Sequence, residues 1–88
     1  MSAAARTVTV RYFAAIREAL GTGSERVATQ AATLSALRDE LIARGGAHAE
    51  ALARNRAVRA SLNQTMAQES APLSEGAEVA FFPPVTGG

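Results

Sequence analysis

One strongly amphipathic helix near the middle of the chain constrains the fold most. Leu34, Leu37, Leu41 and Ile42 recur at i, i+3, i+7 and i+8, so they form one apolar stripe, and Thr33 is the expected N-cap. The charged residues expected to lie mostly away from the stripe are Arg38, Asp39, Glu40 and Arg44. A helix with a single apolar stripe must bury it against a second layer, so the rest of the chain has to supply that layer.

Alternating segments before this helix indicate two strands. Residues 7–13 place Val8, Val10 and Tyr12 on one face and leave Phe13 on the other, and residues 25–29 form a weaker candidate. Between them, residues 14–20 predict a short helix that ends at Gly21.

Three more strands are predicted after the main helix. Gly45-Gly46 is expected to end that helix, and residues 47–54 predict a second short one. Residues 58–62 and 65–68 alternate on either side of a tight turn at Asn63-Gln64. Residues 78–82 form the last strand, which Pro83-Pro84 ends.

The order of elements predicts a single α+β domain over residues 1–88. Two strands, one main helix and three strands favour the β-grasp (ubiquitin-like) fold, with a mixed five-stranded sheet and the helix packed on one face. We expect residues 1–6 to be a flexible N-terminus and residues 83–88 to be an extended tail.

Composition excludes several classes of function. The chain has no cysteine and one histidine, so we expect neither a disulfide nor a metal site. A net charge of +1 does not favour nucleic-acid binding, and no transmembrane stretch or secretory signal is found, so a cytoplasmic address is expected. All nine basic residues are arginine, so the chain has no lysine on which to form an isopeptide bond.

The C-terminal run EVAFFPPVTGG, residues 78–88, resembles the end of the small subunit of molybdopterin synthase. The run LNQTM at residues 62–66, the turn at residues 72–76, Phe13-Ala14 and Arg17-Glu18 extend the resemblance over nearly the whole chain. A bare Gly-Gly end would be weak evidence, whereas the octet FFPPVTGG is specific to these ubiquitin-like sulfur carriers.

The resemblance implies a cycle at Gly88. An E1-like adenylyltransferase uses ATP to adenylate the Gly88 carboxylate, and a persulfide-bearing sulfurtransferase converts it to a thiocarboxylate. The tail then enters the large synthase subunit and donates sulfur to cyclic pyranopterin monophosphate. The chain itself is expected to bind no cofactor. The tail residues inserted into the partner are Pro83, Pro84, Val85, Thr86, Gly87 and Gly88.

The residues suit this chemistry. Two glycines without Cβ atoms form a thin thread, and Pro83-Pro84 is expected to keep its base extended. A sulfur carrier usually holds sulfur on a cysteine, and because this chain has none, Gly88 is left as the site. No nucleophile–base pair is found, so we expect a non-catalytic subunit whose tail is a reactant.

A partner-binding face follows from the alternation. If Val79 and Phe81 are core residues, Phe82 points outward beside Phe13, because the first and last strands of a β-grasp are parallel neighbours. Met66 and Arg17 are further candidates for this face. Each residue also has an alternative role. Phe82 could pack in the core, Met66 could merely fill a gap, and Arg17 could be a solvated helix residue. His48 is expected to be a surface residue.

Three alternative functions stay open at this point. The chain could carry sulfur for thiazole synthesis or for tRNA thiolation instead. It could also be a protein modifier conjugated through Gly88 to lysines of other proteins, or an interaction module whose tail is inert.

Overall fold

A computed structural model describes residues 5–84 of the chain, and the predictions made for residues 1–4 and 85–88 lie outside this range. The elements are β1 Arg6–Tyr12, α1 Ala14–Leu20, β2 Ser24–Thr29, α2 Leu34–Ile42, α3 Gly46–Ala51, β3 Arg59–Leu62, β4 Thr65–Ala67 and β5 Glu78–Phe82. Within residues 5–84, no helix has the length and apolarity needed to cross a membrane.

The five strands form one mixed sheet in the order β2-β1-β5-β3-β4. β1 pairs antiparallel with β2 and parallel with β5, while β3 pairs antiparallel with both β5 and β4. This is the predicted α+β β-grasp arrangement, with the last strand of the chain in the middle of the sheet.

The core lies between the inner face of the sheet and the main helix. The side chains of the sheet and the helix stripe that are almost fully buried are Val8, Val10, Tyr12, Leu34, Leu37, Leu41, Val79 and Phe81. Burial of each leucine removes its apolar surface from water and is worth about 2 kcal/mol. The predicted inner parity of the first and last strands and the core role of the leucines are confirmed, whereas Ile42 is only partly buried.

Most ends of the helices and strands lie close to the positions predicted from local sequence signals. Thr33 caps α2 as predicted, since its hydroxyl accepts a hydrogen bond of 3.2 Å from the amide of Ala36. The helix ends at Ile42, before the glycine pair, and Gly45 instead precedes α3 with a φ of 78°. The turn between β3 and β4 is confirmed, with φ positive at both Asn63 and Gln64.

The N-terminal end of the sheet starts within the segment expected to be flexible. Arg6 is already part of β1, where it pairs with Thr29, and its guanidinium donates to the carbonyl of Ala31 at 2.6 Å. At the other end β1 stops at Tyr12, so Phe13 lies outside the strand and precedes α1.

Arg38 was expected to face away from the core, and this expectation is wrong. Its side chain is only 5 % exposed and donates to the carbonyls of Leu52 at 2.8 Å and Ala53 at 2.7 Å, and to the carboxylate of Glu69 at 2.6 Å. The guanidinium therefore donates hydrogen bonds both to carbonyls of the loop after α3 and to a carboxylate of the segment before β5. Burial opposes ionisation of Glu69, but hydrogen bonds from Arg54 and Arg38 outweigh it and hold the pKa of Glu69 below its usual value.

His48 was expected on the surface, but its ring is half-buried. Its Nε2 lies 3.0 Å from Oε2 of Glu25, and the ring meets that of Tyr12 edge-on with centroids 6.2 Å apart. The contact joins α3 to the inner face of β1 and β2, a relationship that no local pattern around His48 indicates.

Candidate functional site

The chain leaves β1 at Phe13 through a sharp change of backbone direction. The amide of Phe13 donates to the carbonyl of Phe81 at 3.2 Å, which extends the parallel register of Tyr12 and Phe81 by one residue. Ala14 then has a φ of 54°, a left-handed conformation that costs a residue with a Cβ about 1–2 kcal/mol. Phe13 is thereby held beside β5 while the chain turns into α1, and it is 41 % exposed.

Phe13 and Phe82 occupy neighbouring positions at the outer face of the sheet. Since Phe13 follows Tyr12 in the register, it lies next to Phe82, which is half-buried and pairs on its other side with Arg59 of β3. Met66 is 53 % exposed and pairs with Ser61. It shares the outer face but is separated from β5 by β3.

A cation lies over this face that sequence reasoning did not single out. The guanidinium carbon of Arg11 is 5.7 Å from the centroid of the Phe13 ring, within the range of a cation–π contact. The same guanidinium reaches Glu78 at 3.4 Å. The i, i+2 spacing of Arg11 and Phe13 carried the signal, because residues two apart share a strand face.

Arg17 lies elsewhere. Its Nε is 3.2 Å from the position that a Cβ would take on Gly23, whose carbonyl accepts from the amide of Tyr12 at 3.0 Å. Arg17 therefore sits at the β2 side of β1, whereas Phe82 is on the far side of β1. Arg17 therefore does not share the row of the sheet in which Phe13 and Phe82 lie.

The base of the predicted tail runs beside the helical layer. Pro83 and Pro84 are half-buried, and Pro83 helps to line a pocket of about 150 Å³. The other lining residues are Ala15, Ile16, Ala19, Glu50, Ala51, Arg56, Ala57 and Val58. The predictions made for Val85, Thr86, Gly87 and Gly88 lie outside the described residues.

Comparison with known proteins finds relatives over nearly the whole chain. The model of the ThiS family matches residues 10–88. A curated relative, the molybdopterin synthase sulfur carrier subunit of Escherichia coli (strain K12), is 43 % identical over 81 residues, which cover 92 % of this chain and 99 % of the relative. The predicted resemblance is confirmed.

Two solved structures are similar in fold over almost their whole length. SAMP1 of Haloferax volcanii, named for small archaeal modifier proteins, has 27 % identity and a TM-score of 0.73, covering 93 % of this chain and 99 % of its own. A complex of subunits 1 and 2 of the molybdopterin-converting factor from Helicobacter pylori 26695 includes a chain with 28 % identity and a TM-score of 0.61, with the same coverage of both chains.

Proposed function

The chain belongs to the ThiS family, and from that premise we propose that it is the sulfur carrier subunit of a molybdopterin synthase. The main support is the 43 % identity to a curated carrier of that name, along nearly the full length of both chains. The solved complex of two molybdopterin-converting factor subunits supports a large-subunit partner, since its small chain is similar to this one.

The geometry of the outer face supports delivery of a tail. Phe13 and Phe82 occupy adjacent positions of the sheet register, at the end of β5 from which Pro83 continues. A partner that packs on this aromatic pair thus lies next to the base of the tail. The six residues 83–88 can reach about 20 Å when extended, far enough to enter a deep channel in the partner.

The proposed reaction begins at the carboxylate of Gly88. An E1-like adenylyltransferase attaches AMP from ATP to one carboxylate oxygen, and pyrophosphate leaves. A persulfide on a sulfurtransferase then attacks the carbonyl carbon and expels AMP, and a thiol cleaves the S–S bond to release the Gly88 thiocarboxylate. Transfer of the sulfur to cyclic pyranopterin monophosphate, with water restoring the carboxylate, completes the cycle.

The role of the chain in these steps is to present the tail. Activation is needed because a carboxylate is a poor electrophile, and a side chain at residue 88 would crowd the carbon under attack. Gly87 and Gly88 avoid this crowding. In this proposal the chain binds no cofactor, and ATP is used by the activating enzyme.

Intact-mass spectrometry of the protein from its native host tests the proposal. We expect a fraction of the chains to be heavier by the difference between sulfur and oxygen, with the change localised to Gly88. Deletion of Gly88 should abolish sulfur transfer while the fold persists, and Ser70→Ala, at an exposed position before β5, should retain it. Full activity without Gly88 would contradict the proposal.

The structural likeness to SAMP1 favours one second candidate, conjugation of Gly88 to lysines of other proteins. Digestion of cellular proteins followed by mass spectrometry would detect peptides that carry a Gly88 isopeptide remnant. Such peptides, lost on deletion of Gly88 and present without the large subunit, would favour the modifier function.

A further inference from the structure

The outer face of the sheet is more basic than the chain as a whole. Its strand register places Arg26 opposite Thr9, Arg11 in the next row, and Arg59 opposite Phe82. Against these three guanidiniums, the paired strands bring only the carboxylate of Glu78 to the same face, so the face carries a net charge of +2. The whole chain carries +1.

Two of these guanidiniums are not used within the fold. Arg38, Arg44 and Arg54, on the helical side, are each held in an ion pair with a carboxylate. Among residues 5–84, by contrast, no carboxylate lies within 4.0 Å of the exposed side chains of Arg26 and Arg59. Their charge is therefore available to a partner.

The charges are arranged around an apolar centre. Phe13 and Phe82 lie in adjacent columns, Arg11 covers the ring of Phe13, and Arg59 directly follows Phe82 across the sheet. An aromatic centre with charged residues at its edge is the usual anatomy of a protein–protein interface. Like charges at the edge are tolerated in the free chain because water screens them, and they attract a partner of opposite sign.

We propose that this face docks on an apolar patch of the large subunit that is bordered by carboxylates, with Arg26 and Arg59 steering the encounter. The inference rests on the proposed function and adds the charge of the partner surface. Arg59 is the closer of the two to the tail, since it pairs with the residue just before Pro83. An ion pair between Arg59 and a carboxylate of the large subunit would thus align the base of the tail with the channel of that subunit.

A protein surface fits this face better than a nucleic acid. The centre of the face is occupied by aromatic side chains and not by cations, and Glu78 would repel a phosphate backbone beside Arg11. Nucleic-acid binders usually line up many cations along one surface, whereas this face has three.

Stopped-flow association of the full chain with the large subunit tests the proposal. The variants are Arg26→Glu and Arg59→Glu, with Arg56→Glu as the control, because Arg56 lines the pocket on the helical side and undergoes the same change of charge. Rates are measured from about 0.01 M to about 0.15 M salt, over which the screening length falls from about 30 Å to about 8 Å. Circular dichroism establishes that each variant is folded.

The wild-type rate constant is expected to fall with salt by about tenfold or more. Arg26→Glu and Arg59→Glu should each lower it roughly three- to tenfold at low salt, and Arg56→Glu by less than about twofold. Equal effects of all three variants, or faster association of Arg59→Glu, would overturn the docking proposal. The proposed function in sulfur transfer would not be affected by that result.

Two other outcomes are distinct. If the wild-type chain neither binds the large subunit nor transfers sulfur, the proposed function fails and the docking face fails with it. A duplex DNA probe could instead bind the wild-type chain, with weaker binding to the two outer-face variants. The face would then bind a nucleic acid, and the proposal of an acidic protein partner would be wrong.

Discussion

The phenol of Tyr12 donates a hydrogen bond of 2.7 Å to Oε2 of Glu25. The same carboxylate accepts from Arg44 at 2.8 Å and lies 3.0 Å from Nε2 of His48. Burial opposes ionisation of Glu25, but hydrogen bonds with His48, Arg44 and Tyr12 outweigh it and hold the pKa of Glu25 at about 2. Burial and the Glu25 hydrogen bond raise the pKa of Tyr12. One carboxylate thus joins β1 and β2 to the turn after α2, through Arg44, and to α3, through His48.

Stability should therefore depend on pH through Glu25. Because its pKa is lower in the folded chain than the ordinary 4.5, its contribution is complete above about pH 4.5 and is lost as pH falls towards 2. Glu25→Gln should lower the free energy of unfolding by about 1–2 kcal/mol at pH 7 and flatten its acid dependence. Urea denaturation at several pH values measures this. Glu18→Gln, on the exposed face of α1, is the control, and an equal effect of both changes would contradict the assignment.

Removal of the buried guanidinium of Arg38 should cost much more. Arg38→Met keeps the aliphatic part of the side chain but leaves the carbonyls of Leu52 and Ala53, and Oε2 of Glu69, without the donor that Arg38 supplies. We expect a loss of about 3 kcal/mol in the free energy of unfolding. Arg56→Met, at an exposed position, should change it by less than about 0.5 kcal/mol. A loss below 1 kcal/mol for Arg38→Met would show that these hydrogen bonds are replaced by water.

The backbone at Ala14 predicts opposite effects of one substitution at two neighbouring positions. Ala14→Gly should raise the free energy of unfolding by about 0.5–1 kcal/mol, because glycine adopts the φ of 54° without the Cβ clash. Ala15→Gly, inside α1, should lower it by about 1 kcal/mol through loss of helix propensity. Thermal denaturation of both variants tests this, and a loss of stability in both would argue against the left-handed conformation.

Truncation of Phe82 should weaken partner binding with little loss of fold. Phe82→Ala removes half of the outward aromatic pair, and we expect binding to the large subunit to weaken by about 2 kcal/mol, roughly 30-fold. Leu20→Ala shortens a half-buried side chain in the helical layer and should leave binding unchanged. Isothermal titration calorimetry compares the two variants, and equal affinities would remove Phe82 from the interface.

The elements of the fold depend on signals that are close together in the sequence, which is why they could be predicted. The parity of Val8, Val10 and Tyr12 requires only alternation, and the Thr33 cap requires only the residues of the next turn. The parallel pairing of β1 with β5 followed from the expected topology, since it needs only the order of the elements.

The buried polar contacts depend on distant residues and could not be predicted in this way. Arg38 follows Leu34 by four residues and precedes Leu41 by three, so it lies on the flank of the apolar stripe, but its charge favoured solvent. Its burial depends on Glu69, 31 residues away, and on carbonyls of the loop after α3. The basic outer face likewise required the register of β2 and β3, because Arg26 and Arg59 are far apart in the sequence.

The central place of β5 has a mechanical consequence. A pull on the residues after Phe82 acts along a strand that is hydrogen-bonded on both sides, to β1 and to β3. Such a load shears two ladders at once, whereas the same pull along an edge strand would shear only one. Withdrawal of a tightly held tail from a partner therefore strains the part of the sheet that resists force best.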